Sequence, residues 1–293
     1  MICAILLAVV NSSFLHRFAN RGLDNAGDVF LFNGGTQFIW SILLLVFCIF
    51  TNTLRFDAVT IAYGVFYAFL LCALQVFKQL AYSDGPVAIT TLVGACAFLI
   101  TTAYTVIFED DTISILYIIG IITLICSLFL CIDIKQKKYD ASNMSLSPKW
   151  VLWCSLMLAS GGALGIFYRV FGASSASPNM NSMMLFAAVL SAVLLTAISF
   201  TANAVTKKPL PKISKTAWKY MLINGFTSCI YIRLNLSLAN LLPGTLFFPV
   251  SNGGILVLST LVGVMFFSEK PSKKQLIGII AGFASIAYIG FVK

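Results

Sequence analysis

The sequence is dominated by a series of apolar runs, each close to the length of a helix that crosses a membrane. Such a helix needs roughly 20 consecutive, mostly apolar residues. The runs are continuous and do not alternate between apolar and polar residues with period two, so strands are not expected. We therefore predict an all-α polytopic membrane protein with ten transmembrane helices. The runs cover residues 1–19, 29–51, 58–80, 86–108, 113–132, 150–172, 180–204, 217–240, 243–267 and 273–291.

The composition is that of a chain whose main solvent is lipid. Only 10% of the residues are charged, whereas a soluble domain has about 25%. The formal net charge of +9 is typical of basic loops on one side of a membrane rather than of nucleic-acid binding. The cysteines form no C-x-x-C pair and lie within the runs, so we interpret them as packing residues. Without a Walker motif, metal cluster or catalytic dyad, we predict no cofactor, no metal site and no enzymatic activity.

Basic residues are concentrated in the odd-numbered connectors between the runs, including the two longest connectors, 133–149 and 205–216. The opposite side holds only Arg55 and Lys293 outside the runs. Because cytoplasmic loops carry an excess of lysine and arginine, this distribution predicts cytoplasmic odd-numbered connectors and both termini outside.

The two halves of the chain resemble each other at an offset of 158 residues. At this offset residues 119–122 fall on 277–280, and Asp111 falls on Glu269. Each repeat then has five helices, and an odd number forces the second copy to enter the membrane from the opposite side. We predict two inverted five-helix repeats, 1–132 and 150–293, joined by the loop 133–149. Such repeats are typical of transporters with a substrate site near the midplane.

The stretch "FFPVSNGGILVLSTLVGVMFFSEKPSKKQLIGIIAG", residues 247–282, combines a proline near a helix start, an acidic turn at Glu269 and a helix opening with Gln275 and Gly278. In these features the chain resembles the EamA-type transporters of the drug/metabolite transporter superfamily. The resemblance implies a cavity lined mainly by helices 1, 3, 4, 6, 8 and 9 of ten, and transport by alternating access. It also implies cytoplasmic termini, opposite to the charge distribution, so both orientations stay open.

Arg233 is the most informative polar residue in an apolar run. It lies about four residues, roughly 6 Å, past the centre of the run 217–240. A charge at such a depth costs at least ~2.5–3.5 kcal/mol, so it is expected to face a cavity or a partner. One interpretation is an anchor for an anionic substrate group. The other is a side chain that caps backbone carbonyls or extends to the membrane interface.

Further polar residues in the runs extend the predicted site. Gln75 falls on Arg233 at the offset of 158 residues, so the two are expected to line one cavity from opposite halves. Each amide could instead hydrogen-bond a neighbouring helix, and cations near helix ends can extend to the interface. The predicted substrate-binding residues are Arg233, Gln75, Asn252, Arg169, Lys78, Asn11 and Gln37.

Acidic residues are absent from the deep parts of the runs. Proton-coupled exporters of cationic drugs usually need a buried carboxylate, so its absence favours an anionic or neutral polar substrate. The turn formed by Glu109, Asp110 and Asp111 is most simply a solvated loop.

These observations predict a secondary transporter of a small polar or anionic metabolite, such as an amino acid, by alternating access. The runner-up is a broad exporter of lipophilic drugs, and a membrane-embedded enzyme or lipid-binding protein is a third hypothesis. The expected partners are a small-molecule substrate and the lipid bilayer, with no nucleic acid. A monomer would suffice and a homodimer is compatible. We expect the chain in the plasma (inner) membrane.

Overall fold

The chain is helical in every apolar run, which confirms the prediction of an all-α fold. The protein is described by a computed structural model that covers residues 1–18, 26–85, 87–109, 111, 113–131, 147–267 and 272–292. Side chains at 11–18, 26, 87, 88, 216 and 263–267 lie outside this description. The predicted connector 133–149 and the acidic turn residue Glu269 fall largely or wholly outside it as well. No strand occurs in the described ranges.

The described residues form eleven α-helices. They are α1 (Ile2–Phe18), α2 (Ala26–Thr51), α3 (Ala58–Asp84), α4 (Val87–Ala95), α5 (Phe98–Phe108), α6 (Ile115–Cys131), α7 (Pro148–Ala173), α8 (Met180–Val205), α9 (Lys215–Leu241), α10 (Gly244–Phe267) and α11 (Lys273–Val292).

Seven helical segments of the described chain are long and apolar enough to cross a membrane. The protein is therefore an α-helical polytopic integral membrane protein. The seven segments are Gly27–Thr51, Ala58–Asp84, Ile89–Phe108, Pro148–Ala173, Ser177–Val205, Gly244–Val262 and Lys273–Val292. The apolar helix α6 is shorter, at 17 residues, and α9, which begins with Lys215 and Lys219, is not among the seven.

Helices α4 and α5 belong to one apolar run that the backbone divides at Cys96 and Ala97. Around this point the amide of Ala97 donates to Gly94, and that of Leu99 donates to Cys96, both three residues back. Such tightening is that of a 3₁₀ turn and interrupts the α-helical pattern. One predicted helix is thus two shorter ones, which is why eleven helices occupy ten runs.

Polar side chains in the connectors determine where several helices begin. A side-chain oxygen of Asp57, Ser114, Ser147 or Ser214 accepts a backbone N–H at 3.1–3.2 Å in the first turn of α3, α6, α7 or α9. A hydrogen bond from the Thr60 side chain lowers the pKa of the Asp57 carboxyl. Ser272 and Gln275 bond each other's backbone amides at 3.2 and 2.9 Å, which is a capping box. The glutamine singled out in the sequence therefore starts α11.

The helices group into two compact units whose boundaries fall inside α3, α7 and α9. Unit 1 consists of Ala73–Arg169 and Ser237–Lys293, with Met1, and unit 2 consists of Ile2–Cys72 and Val170–Leu236. Each unit therefore takes segments from both predicted repeats.

In unit 1, α6 packs most extensively against α11, and α10 packs against α5, α6 and α11. A Cβ at Gly278 of α11 would lie 2.6 Å from the backbone nitrogen of Cys131, so this helix pair requires glycine there. In unit 2, α2 packs most extensively against α8. Helix α9 also lies on α2, where Met221 packs against Gly35 and Ile39 against Gly225.

Candidate substrate-binding region

Arg233 lies in unit 2, on the part of α9 that faces α2. Its guanidinium carbon is 4.1 Å from the centroid of the Phe47 ring, a cation–π contact. Its side chain is half-buried. Among the described residues, no carboxylate lies within ion-pair distance of this guanidinium, and none of its N–H groups has a hydrogen-bond partner. The N–H donors of Arg233 are therefore unused within the described part of the chain.

Two thiols lie near the same guanidinium. Cys48 of α2 and Cys229 of α9 are both close enough to interact electrostatically with Arg233. Neither is in a disulfide, and a neutral thiol does not balance a positive charge. The region can therefore accept an anion, and guanidinium binds a carboxylate or phosphate through two parallel hydrogen bonds.

Gln37 and Trp40 lie one turn apart on α2 and are buried, with 8% and 0% of their surfaces exposed. The Gln37 Oε1 acceptor and the Trp40 Nε1 donor have no hydrogen-bond partner in the described part of the chain. Asn235 Oδ1, on α9, is also buried and lacks a hydrogen-bond partner among the described residues. Buried polar groups are nearly always paired, so a polar ligand or water can bind at these atoms. Asn181 Oδ1 of unit 2 and Thr102 Oγ1 of unit 1 are unpaired as well.

Trp40 was absent from the sequence-based site. Tryptophans of membrane proteins are enriched at the interfaces, and Trp40 instead occupies the middle of α2. That unusual position is the sequence feature that could have identified Trp40 as a candidate site residue. Ten residues separate Gln37 from Phe47, which is about 15 Å along a helix, so the structure does not place Gln37 beside Arg233.

Arg169, in unit 1, has surroundings opposite to those of Arg233. Its Nε donates to Glu109 Oε1 and Oε2 at 3.0 and 2.8 Å, and its Nη2 donates to the same carboxylate. Its Nη1 donates to the carbonyls of Ala239 and, at 2.8 Å, Leu242. The arginine thus joins the end of α5 to carbonyls at and just after the end of α9. The solvated loop predicted at Glu109 is wrong there, because Glu109 is ion-paired and only 24% exposed.

The turn after α5 also holds the start of α10. Asp111 accepts hydrogen bonds from the backbone N–H and the hydroxyl of Thr245, at 3.2 and 3.1 Å. A carboxylate at a helix N-terminus satisfies free N–H groups and favours the helix dipole. The solvated loop was therefore the wrong interpretation for Asp111 too, while Asp110 lies outside the described residues.

Pro249, inside α10, frees a backbone carbonyl, as expected of a proline in a helix. Having no N–H, it cannot donate to the carbonyl four residues earlier, that of Thr245. The hydroxyl of Tyr117, on α6, donates to this carbonyl at 2.8 Å. Unit 1 thereby compensates the lost helix bond with its own side chain.

The remaining predicted site residues lie at separate places. Asn252 donates through Nδ2 to the carbonyl of Phe248 at 3.0 Å, one turn back on its own helix. Lys78 is exposed, and its Nζ is 5.8 Å from the centroid of the Tyr82 ring. Gln75 is half-buried and has no hydrogen-bond partner among the described residues. The side chain of Asn11 lies outside the described residues. Gln75, Lys78, Arg169 and Asn252 belong to unit 1, and Arg233, Gln37 and Asn11 belong to unit 2.

Metal ligation has no candidate in the described ranges, where no group of three or more His, Cys, Asp or Glu side chains could hold an ion. In the described part of unit 2, the Arg233 guanidinium and the unpaired atoms of Gln37, Trp40 and Asn235 are polar groups with the chemistry to bind a ligand.

Comparison with known proteins establishes the fold alone. No protein-family model matches the chain, and no curated protein matches it either. The chain is similar to a protein known from its crystal structure, with a TM-score of 0.78 over 99% of this chain and 95% of the other, at 15% sequence identity. That protein is among 28 matching chains of solved structures. At such an identity the likeness extends to the helical fold over nearly the full length of both chains.

Proposed function

We propose that this chain is a secondary transporter that carries a small polar or anionic metabolite by alternating access. In this proposal all ten apolar runs cross the membrane, as two inverted five-helix repeats, 1–132 and 150–293. The repeat offset and the resemblance of residues 247–282 to EamA-type transporters support it. A monomer suffices, since one chain contains both repeats, and the plasma (inner) membrane is the proposed location.

The observation that carries the proposal is the state of Arg233. A cation in an apolar helix is costly, and such residues mark substrate or ion pathways when they are not neutralised locally. Arg233 contacts the Phe47 ring but has no carboxylate partner in the described residues. We infer that the anionic group of the substrate supplies the missing partner. The contact with Phe47 uses no N–H group in a hydrogen bond, so two of them can bond a carboxylate or phosphate in parallel.

The first test compares Arg233→Ala with the wild-type protein in proteoliposomes, using uptake of a panel of radiolabelled organic anions. Losing one partner of a desolvated charge pair costs about 30-fold or more in affinity, so uptake of the transported anion should fall at least that far. Arg233→Lys should retain part of the activity, because it keeps the charge but not the two-pronged geometry.

Arg55→Ala is the matched control, since Arg55 is exposed in the connector between α2 and α3 and should leave uptake unchanged. Both variants should accumulate in the membrane at wild-type level. Uptake that survives Arg233→Ala would overturn the anionic anchor. Resistance to lipophilic cations in cells that express the chain would then support the drug exporter, and substrate turnover in detergent without a gradient would support an enzyme.

A further inference from the structure

The linker between α8 and α9, residues 206–214, has a fixed path although it is neither helix nor strand. The amides of Lys207 and Lys208 donate to the carbonyls of Ala204 and Asn203, at 3.2 and 2.9 Å. These two bonds form a Schellman motif, which closes the end of a helix. Asn203 Nδ2 then donates to Pro209 at 2.8 Å. The linker is therefore an ordered surface.

Lys207 occupies the position of this motif that usually belongs to glycine. Its φ is 52°, in the left-handed region that costs a residue with a Cβ but suits glycine. A cation at this point lies at the C-terminus of α8, where it complements the helix dipole. A lysine thus stands where backbone strain alone would select glycine.

Five lysines of the linker and of the first two turns of α9 share one property, which is exposure without a counter-charge. None of them is ion-paired to a carboxylate among the described residues. The acid that the linker does contact, Asp28, is 6% exposed and accepts the backbone N–H of Lys212 at 2.9 Å, so it leaves the ammonium groups free. We call this set the lysine platform: Lys207, Lys208, Lys212, Lys215 and Lys219.

Large apolar side chains stand among these lysines. Val205, Leu210 and Trp218 are 82%, 71% and 50% exposed. The segment directly continues α8, which is apolar enough to span a membrane. Exposed tryptophan and leucine are favourable at a bilayer interface, where an amphipathic surface immerses its apolar side chains and keeps its cations at the headgroups.

We propose that the lysine platform binds the headgroups of anionic phospholipids, with Val205, Leu210 and Trp218 immersed beside them. Charge complementarity identifies the lipid, because five ammonium groups without carboxylate partners attract phosphate esters of net negative charge rather than zwitterionic headgroups. The bound lipid would hold the α8–α9 linker at the membrane surface. This inference concerns the surface of unit 2 and is independent of what the chain transports.

The test measures lipid binding to the full chain in neutral detergent by native mass spectrometry, with phosphatidylglycerol and phosphatidylcholine as probes. Each lysine near an anionic surface is worth about fivefold in affinity. The wild-type chain should therefore prefer phosphatidylglycerol. Lys207→Gly should lose about fivefold and the triple variant K207Q/K208Q/K212Q about a hundredfold, with binding of phosphatidylcholine unchanged.

Lys207→Gly also separates the loss of charge from a loss of stability. Glycine relieves the strain of the left-handed backbone, so the melting temperature should stay level or rise. The control K273Q/K274Q removes two exposed lysines at the start of α11 and should keep the preference. An equal loss in that control would overturn the proposal, as would equal binding of the two lipids by the wild type. Displacement of the lipid by glycerol 3-phosphate would point instead to a site for soluble phosphate esters and would also overturn it.

Discussion

Arg169 and Arg233 both lie within apolar runs of the sequence, and their surroundings differ completely. Arg169 donates to one carboxylate and two backbone carbonyls in unit 1. Arg233 of unit 2 rests on the Phe47 ring and has no acceptor among the described residues. The donors of the Arg169 guanidinium bond other parts of the fold, whereas those of the Arg233 guanidinium are available to a ligand. The difference shows that a charged residue in an apolar helix indicates a binding site only if the fold leaves its hydrogen-bond donors without partners.

A related difference concerns the neutral polar groups of the two units, because the described part of unit 2 buries more unpaired polar atoms than that of unit 1, where Thr102 Oγ1 is one. Near Arg169, the carboxylate of Asp111 and the hydroxyl of Tyr117 satisfy the N–H and C=O groups of Thr245. In unit 2, Gln37, Trp40 and Asn235 each bury a polar atom without a described partner. An unpaired buried polar atom costs about 1–3 kcal/mol. The proposed transport function explains these unpaired atoms of unit 2, because a bound ligand can supply their hydrogen-bond partners.

The largest effect should come from Arg169→Ala. The change leaves the Glu109 carboxylate and the carbonyls of Ala239 and Leu242 without their donors, in a partly buried site. We expect a loss of about 3 kcal/mol in the free energy of unfolding, measured by denaturant titration in detergent micelles.

Arg233→Ala is the natural control for this experiment. It removes one half-buried cation–π contact, which is worth about 1 kcal/mol or less. The contrast between the regions predicts a loss of stability without a binding defect in Arg169→Ala, and a binding defect with a much smaller loss of stability in Arg233→Ala. Similar losses of stability in both alanine variants would contradict it.

Tyr117→Phe should have the next largest effect, about 1 kcal/mol, because it removes the donor to the carbonyl that Pro249 frees. The structure also predicts coupling. In Pro249→Ala the backbone N–H at 249 can bond the Thr245 carbonyl directly, so the tyrosine hydroxyl becomes dispensable. A double-mutant cycle on unfolding free energies should give a coupling of about 1 kcal/mol. Strict additivity would mean that the two residues act independently.

The helices and the consequence of Pro249 were predictable because each depends on local sequence. Run length and hydrophobicity predict a helix, and a missing N–H frees a carbonyl four residues back wherever the proline lies in a helix. The partner of that carbonyl was not predictable, because Tyr117 is 128 residues away from Thr245 in the chain.

The surroundings of the charged residues show the same limit. The sequence does not show whether water or an arginine pairs with a carboxylate that follows a helix end. Glu109 was therefore predicted to lie in a solvated loop. Its partner Arg169 is 60 residues away. Likewise, the sequence placed both Arg169 and Arg233 in apolar runs and predicted both as substrate-binding residues, and only packing distinguishes the neutralised cation from the available one. Helix positions follow from local pattern, whereas the state of a polar side chain depends on distant segments.

Gln37→Leu should have the smallest effect on stability. It distinguishes the two regions most directly, because it is expected to stabilise the protein rather than destabilise it. Replacing an unsatisfied buried amide by an apolar side chain of similar size removes a desolvation cost, so the free energy of unfolding should stay level or rise by about 1 kcal/mol. The neighbouring Thr36→Val is the matched control. The Thr36 hydroxyl donates to Phe32 at 2.9 Å and accepts from Asn224 at 3.3 Å, so its loss should cost about 1 kcal/mol.

Adjacent substitutions on one turn of α2 should thus change the stability in opposite directions. If Gln37→Leu instead destabilises the protein as much as Thr36→Val does, the amide has a structural partner and unit 2 is no more open to a polar ligand at this point than the Arg169 region. If stability is kept while the Michaelis constant for the transported anion rises, the amide oxygen belongs to the substrate path. In that case the path extends along α2 about 15 Å beyond the Phe47 contact.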